Sequence, residues 1–248
     1  MRRFLSWGLC CVLLLAVVLP AQAQQTPSTD DETALALLVA LDVDSFAAKG
    51  EAITAIVQSD DERARDWLQA LLDGKLQRTD EGRFVVVLEN RGRDWPVEDA
   101  LSGESLGEMS RRDLERVGIN NALRNQLRSA IAVVDLYSPD VEQRRASADR
   151  LLGEVDGDMV GILTPLINDA DDDYVRDRLN LAVAIYRAEQ GEMMGVDALT
   201  GSLNPRARVA LGRAAESDNP QVADAASAAL ISIEQNLKIN RGLETLYF

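Results

Sequence analysis

The feature that most constrains this chain is a spacing. Gln143-Arg144, Val175-Arg176 and Ala207-Arg208 recur at intervals of 32 residues. They lie in SPDVEQRRASADRLL (138–152), DDDYVRDRLNLAVA (171–184) and NPRARVALGRAA (204–215). Each arginine follows a proline or an acid cluster and precedes an Ala- or Leu-rich apolar stripe. Between the first two lies GDMVGILTPLIND (157–169), amphipathic and with its own turn residues. A helix pair of this length cannot bury its apolar faces alone, so neighbouring pairs must stack.

The spacing therefore predicts a mainly α fold, a HEAT-like α-solenoid of helix pairs over 119–240. Small residues at Ala146, Ala148, Ala182, Ala184, Ala226 and Ala229 permit close helix approach. The last copy, around Val222, comes only 15 residues after Ala207. NPRARVALGRAAES and NPQVADAASAALISIEQ thus read as the two helices of one final pair. INNALRNQLRSAIAVVDLY, before the first copy, sets Leu123, Leu127, Ile131 and Val134 on one helix face.

The alignment gives the acids a role. Asp171, Asp172 and Asp173 stand where other copies have Ser138-Pro139-Asp140 or Asn219-Pro220. They read as N-cap and first-turn residues, where carboxylates accept from free backbone N–H groups and favour the positive end of the helix dipole. A calcium loop is the rival reading, because Asp169, Asp171 and Asp173 match the first three ligand positions of an EF-hand. The sixth position should be Gly and is Tyr174; the twelfth should be Glu and is Asn180. The sequence assigns no metal and no cofactor.

Upstream, QQTPSTDD (24–31) reads as a flexible leader and 32–74 as helices. TALALLVALDVDSF is apolar at nearly every position, which predicts a mostly buried helix. Asp44 is the expected N-cap of the next helix, with Phe46, Ile53, Ile56 and Val57 near one face. A third, opened by Asp60-Asp61, sets Ala64, Trp67, Leu68, Leu71 and Leu72 on one side and stops at Gly74. The pattern then changes over 75–118. A polar turn, TDEG, separates two short runs, which predicts a small β-hairpin of 75–78 with 83–89. Trp95-Pro96-Val97 adds a short extended piece, and SGESLGE (102–108) reads as loop. Arg78, Arg83, Arg91 and Arg93 form the candidate contact for an acidic partner. The ordinary alternative is a solvated hairpin face.

The first 23 residues have the basic, hydrophobic, small-residue order of a secretory signal peptide, with cleavage expected after Ala23. Both cysteines, Cys10 and Cys11, lie inside it, and the chain has no histidine. Without Arg2 and Arg3, 24 bases face 41 acids, a net charge of −17. Residues 24–248 therefore offer no disulfide, no Cys nucleophile, no Ser-His-Asp triad and no Cys/His zinc site. The charge argues against nucleic acid as a partner. No spacing of acids, Lys, Tyr or Ser suggests a catalytic set, and the chain reads as a non-enzyme.

The order of parts resembles the permease subunit of bacterial urea ABC transporters, of the branched-chain amino acid permease family. The resemblance rests on DWLQALLDGKLQ (66–77), ALSGESLGE (100–108), INNALRNQLRSAI (119–131), SPDVEQRRASADRLL and the final GLETLYF. It covers the family's extramembrane half: signal peptide, periplasmic HEAT-like region, and, at 241–248, the approach to the first membrane helix. The permease itself is not among these residues, so no transport residue carries over. The resemblance implies a non-catalytic interaction module, exported to the periplasmic side of the bacterial inner membrane. Its implied protein partners are the periplasmic substrate-binding protein or the permease's outer face, with membrane contact only through the permease part. The alternative is a free-standing periplasmic HEAT-repeat adaptor.

Overall fold

The computed structural model describes residues 29–244, with side chains over 30–237. The expected signal peptide, leader residues 24–28 and stub residues 245–248 lie outside the described residues. The chain runs α1 (Thr29–Leu41), α2 (Phe46–Gln58), α3 (Ala64–Asp73), β1 (Leu76–Thr79), β2 (Phe84–Val87), β3 (Asp94–Asp99) and β4 (Ser105–Ser110). A 3-10 turn (Arg111–Asp113) leads into β5 (Leu114–Arg116). Helices follow: α4 (Asn121–Asp135), α5 (Val141–Arg150), α6 (Gly157–Asp169), α7 (Asp173–Glu189), α8 (Met193–Leu199), α9 (Pro205–Ala214) and α10 (Pro220–Glu244). No helix among the described residues is long and apolar enough to cross a membrane.

This architecture corrects the expectation of a mainly α solenoid with one small hairpin. Residues 76–116 form a five-stranded antiparallel sheet in the order β4-β3-β2-β1-β5, so the fold mixes helices with a central sheet. The hairpin of β1 and β2 is present, with Gln77 opposite Val85. The residues read as a loop supply most of β4, which pairs Trp95 with Met109 and Val97 with Gly107. Gly107 takes a positive φ of 79° beside a bulge at Val97/Glu98. A strand of Ser, Gly and Glu has little intrinsic β preference. Its partner strand and the apolar Leu106 and Met109 place it.

The sheet must curl. β4 and β5 occupy opposite edges, yet only the 3-10 turn separates them. Four strand spacings in a flat sheet span about 19 Å, more than the roughly 15 Å that four Cα steps cover. Leu114 of β5 accordingly joins Leu106 and Met109 of β4 around buried Val85, Val87 and Val97. The outer side of the same strands faces the helices, with Phe84 and Val86 in the core formed by α1–α4. β2 is thus covered on both sides, which is why FVVVL shows no polar alternation.

Local chemistry starts and stops the helices. Ser45, not Asp44, caps α2, its hydroxyl accepting from Ala48 N at 3.3 Å. Gly74 closes α3 in the left-handed region at φ 70°. Asp140, Asp172 and Asn204 cap α5, α7 and α9, which places the 32-residue spacing in the starts of three alternate helices. The repeated arginines have a local use there. Arg144 donates to Ser138 O at 2.8 Å, and Arg176 donates to Ala170 O, six residues back in each case.

The cores run into one another. The last turns of α4 leave the first core and join α5–α7 through Ala132, Val133 and Leu136. α7 then shares a third core with α8–α10 through Ala182, Ile185 and Ala188. α8 packs tightly on α7 at Gly195, where an added Cβ would lie 2.2 Å from Ala188 N and 2.8 Å from Ala184 O. These are backbone atoms and cannot swing aside. Gly195→Ala is expected to separate the two helices and cost of order 2 kcal/mol, the scale of overpacking. Urea denaturation measures it; an unchanged midpoint would mean that the helices do not meet there.

Candidate functional site

The structure separates the four candidate arginines. Arg78, on β1, is within 2.9 Å of Asp42 and 2.8 Å of Glu115. Arg83 lies 3.7 Å from Asp99, and Arg91 is 3.2 Å from Glu89 while its side chain is 88% exposed. Arg93 is exposed. Its carbonyl accepts from Arg111 N at 3.2 Å, which brings Arg111 and Arg112 beside the β2–β3 loop. The Arg111 guanidinium stands 5.6 Å from the Trp95 ring centre. The basic surface of the sheet is therefore the Arg91, Arg93, Arg111 and Arg112 group. Arg78 is matched by Asp42, just past α1, and by Glu115 of β5, and Arg83 by Asp99 at the end of β3.

The acid cluster before α7 has a structural assignment. Asp172 accepts from Val175 N at 3.0 Å, closing the helix start. Its other oxygen takes two bonds from Arg145 on α5, at 2.8 and 3.1 Å. The Arg145 bond, followed by the backbone amide of Val175, holds the Asp172 carboxyl below its ordinary pKa. Asp172→Asn should keep the cap and weaken only the ion pair with Arg145, a small loss because solvent screens it. Asp172→Ala should lose the cap as well and therefore destabilise more than Asp172→Asn. Thermal melts of the two variants test this order, and equal losses would remove the cap from the account.

A long open surface runs along α2. One depression, of ≈ 660 Å³, lies between α2 and the start of α4 and contains Phe46, Gly50, Thr54 and Gln126. A second, of ≈ 1040 Å³, lies among the α2–α3 turn, the α4–α5 loop and α6, with Val57, Tyr137, Ile162 and Pro165. Gln58 and Asp158 line both, so the two form one trough. The 13 residues of α2 give it a length of about 20 Å. Gln126 donates to Gly50 O at 2.9 Å and fixes α4 against α2. A Cβ at position 50 would meet the Gln126 amide oxygen at 2.9 Å, so glycine permits this approach.

Both ends of the trough carry an exposed aromatic ring, Phe46 at 48% and Tyr137 at 60%. Between them stand the exposed carboxylates of Glu51, Asp60, Glu62 and Asp158. Asp60 takes a left-handed φ of 56°, a conformation that Asp tolerates better than most residues. Around it, Ser59 donates to Ile56 O at 2.8 Å, and Asp61 accepts from Arg63 N at 2.8 Å. Partial burial, followed by the Asp60 charge, raises the Tyr137 pKa. Among the described residues lining the trough, Arg65 is the one cation. It is held 2.6 Å from Asp135.

Sequence reasoning noted Phe46 as a core-face residue and left Tyr137 without a role. These rings come from distant parts of the chain, and the packing of α2 on α4 makes them ends of one surface. One signal was available, a tyrosine just past the end of an amphipathic helix and beside Ser-Pro. Compared with family models, curated proteins and solved structures, the chain matches none of them.

Proposed function

We propose that the chain is a non-catalytic interaction module, working on the periplasmic side of a urea-type ABC transporter. The transporter assignment rests on the sequence resemblance. The interaction reading rests on one observation: an open trough about 20 Å long with an exposed aromatic ring at each end. Small-molecule sites enclose most of their ligand, whereas an elongated open groove suits a segment of polypeptide. Much of the remaining charge is spent holding elements together. Arg63 reaches Asp31 on α1, Arg145 reaches Asp172, and Arg213 reaches Glu189.

The partners this reading favours are the periplasmic substrate-binding protein and the permease's outer face. The processed chain is expected to bind protein and not urea. Calorimetry should give no heat of specific binding with urea and a saturable association with the cognate substrate-binding protein or permease. Specific urea binding without either association would overturn the proposal and make the domain a substrate sensor. Charge reversal at Arg91 and Arg93 tests whether the basic end of the sheet takes part.

A further inference from the structure

We infer that the trough along α2 receives a basic segment of a partner protein, a short stretch in which Lys or Arg alternates with apolar side chains. This rests on the interaction reading and narrows it to one surface and one partner chemistry. The charge is complementary. Glu51, Asp60, Glu62 and Asp158 line the trough, and Arg65, the one lining cation among the described residues, is committed to Asp135. Val57, Ile162 and Pro165 add apolar lining, which rewards burial of aliphatic side chains from the same segment. Exposed Phe46 and Tyr137 supply an aromatic ring at either end, the kind of group that attracts a cation. A length of about 20 Å holds roughly six residues of extended chain. A second copy docked trough to trough is a poor occupant, because the acids of both troughs would face one another.

The test uses two synthetic peptides of equal length, one alternating lysine with leucine and one alternating glutamate with leucine. The lysine peptide should bind the processed chain and the glutamate peptide should not. Glu51→Lys combined with Glu62→Lys, both exposed positions, should weaken the lysine peptide by roughly tenfold or more. Tyr137→Ala should weaken it by roughly tenfold, as loss of an aromatic anchor does. Glu216→Lys combined with Asp218→Lys, in the α9–α10 loop, makes the same change in net charge away from the trough and should change affinity by less than about twofold at physiological salt. Equal binding of the two peptides would overturn the inference, as would equal weakening by the near and distant variants. If the cognate partner binds and its affinity ignores the trough substitutions, the interaction reading stands and this site assignment falls.

Discussion

Trp67→Ala is expected to cost about 4 kcal/mol and to unfold the N-terminal half at moderate denaturant, the scale for truncating a buried tryptophan. The ring is 1% exposed, in the core that α1–α4 share with the sheet. Its Nε1 donates to Ala100 O at 2.6 Å, so α3 is tied to the β3–β4 turn through this side chain. The Arg63 guanidinium lies 5.1 Å from the ring centre and donates to Leu101 O at 2.8 Å. Alanine would leave a cavity, an orphaned carbonyl and an arginine without its platform. Trp67→Phe separates the terms: it retains most of the volume and loses the hydrogen bond, and should cost about 1–2 kcal/mol. Urea denaturation followed by circular dichroism measures both. A loss below about 1 kcal/mol for the alanine variant would show that the helices and the sheet do not depend on this contact.

The helices were legible because their information is local. Ala64, Trp67, Leu68 and Leu71 announce a buried face by their spacing, and all four are buried on α3. Helix starts are legible in the same way, since Asp140, Asp172 and Asn204 act on backbone groups two or three residues away. The sheet was legible only in part: the β1–β2 hairpin and the extended piece at Trp95-Pro96-Val97 were expected, whereas β4, with Gly107 opposite Val97, reads as loop, and β5 was not expected. Their order depends on contacts between residues far apart. α1 failed differently. TALALLVAL is apolar on every side and names no face. The fold buries Ala34, Leu38 and Leu41 and leaves Leu35 and Val39 exposed. The arginine patch shows the same limit. Its bases are visible in the sequence, while the acids that match them, Asp42 and Asp99, come from elsewhere in the fold.

Arg65→Met is expected to destabilise the protein by about 3 kcal/mol, and Asp135→Asn by only about 1 kcal/mol, although the two side chains form one ion pair. The asymmetry follows from burial. Asp135 is 1% exposed at its side chain, while Arg65 is 42% exposed. The carboxylate accepts from Arg65 at 2.6 Å and from Gln143 at 2.8 Å, with Arg150 at 3.5 Å. Removing Arg65 leaves a buried charge with one neutral donor and one distant cation. Removing the charge instead leaves an amide oxygen that still accepts, and two arginines that reach water. The double variant should therefore be more stable than Arg65→Met alone, and a double-mutant cycle in urea gives the coupling directly. If Asp135→Asn proves the more costly change, burial of the acid is not what governs this cluster. The cluster also joins α3, α4 and α5 in the wall of the trough, which Arg65, Asp135 and Gln143 line. It keeps the single lining cation turned toward Asp135, so the negative field of the trough is set by a pair whose role is otherwise to hold three helices together.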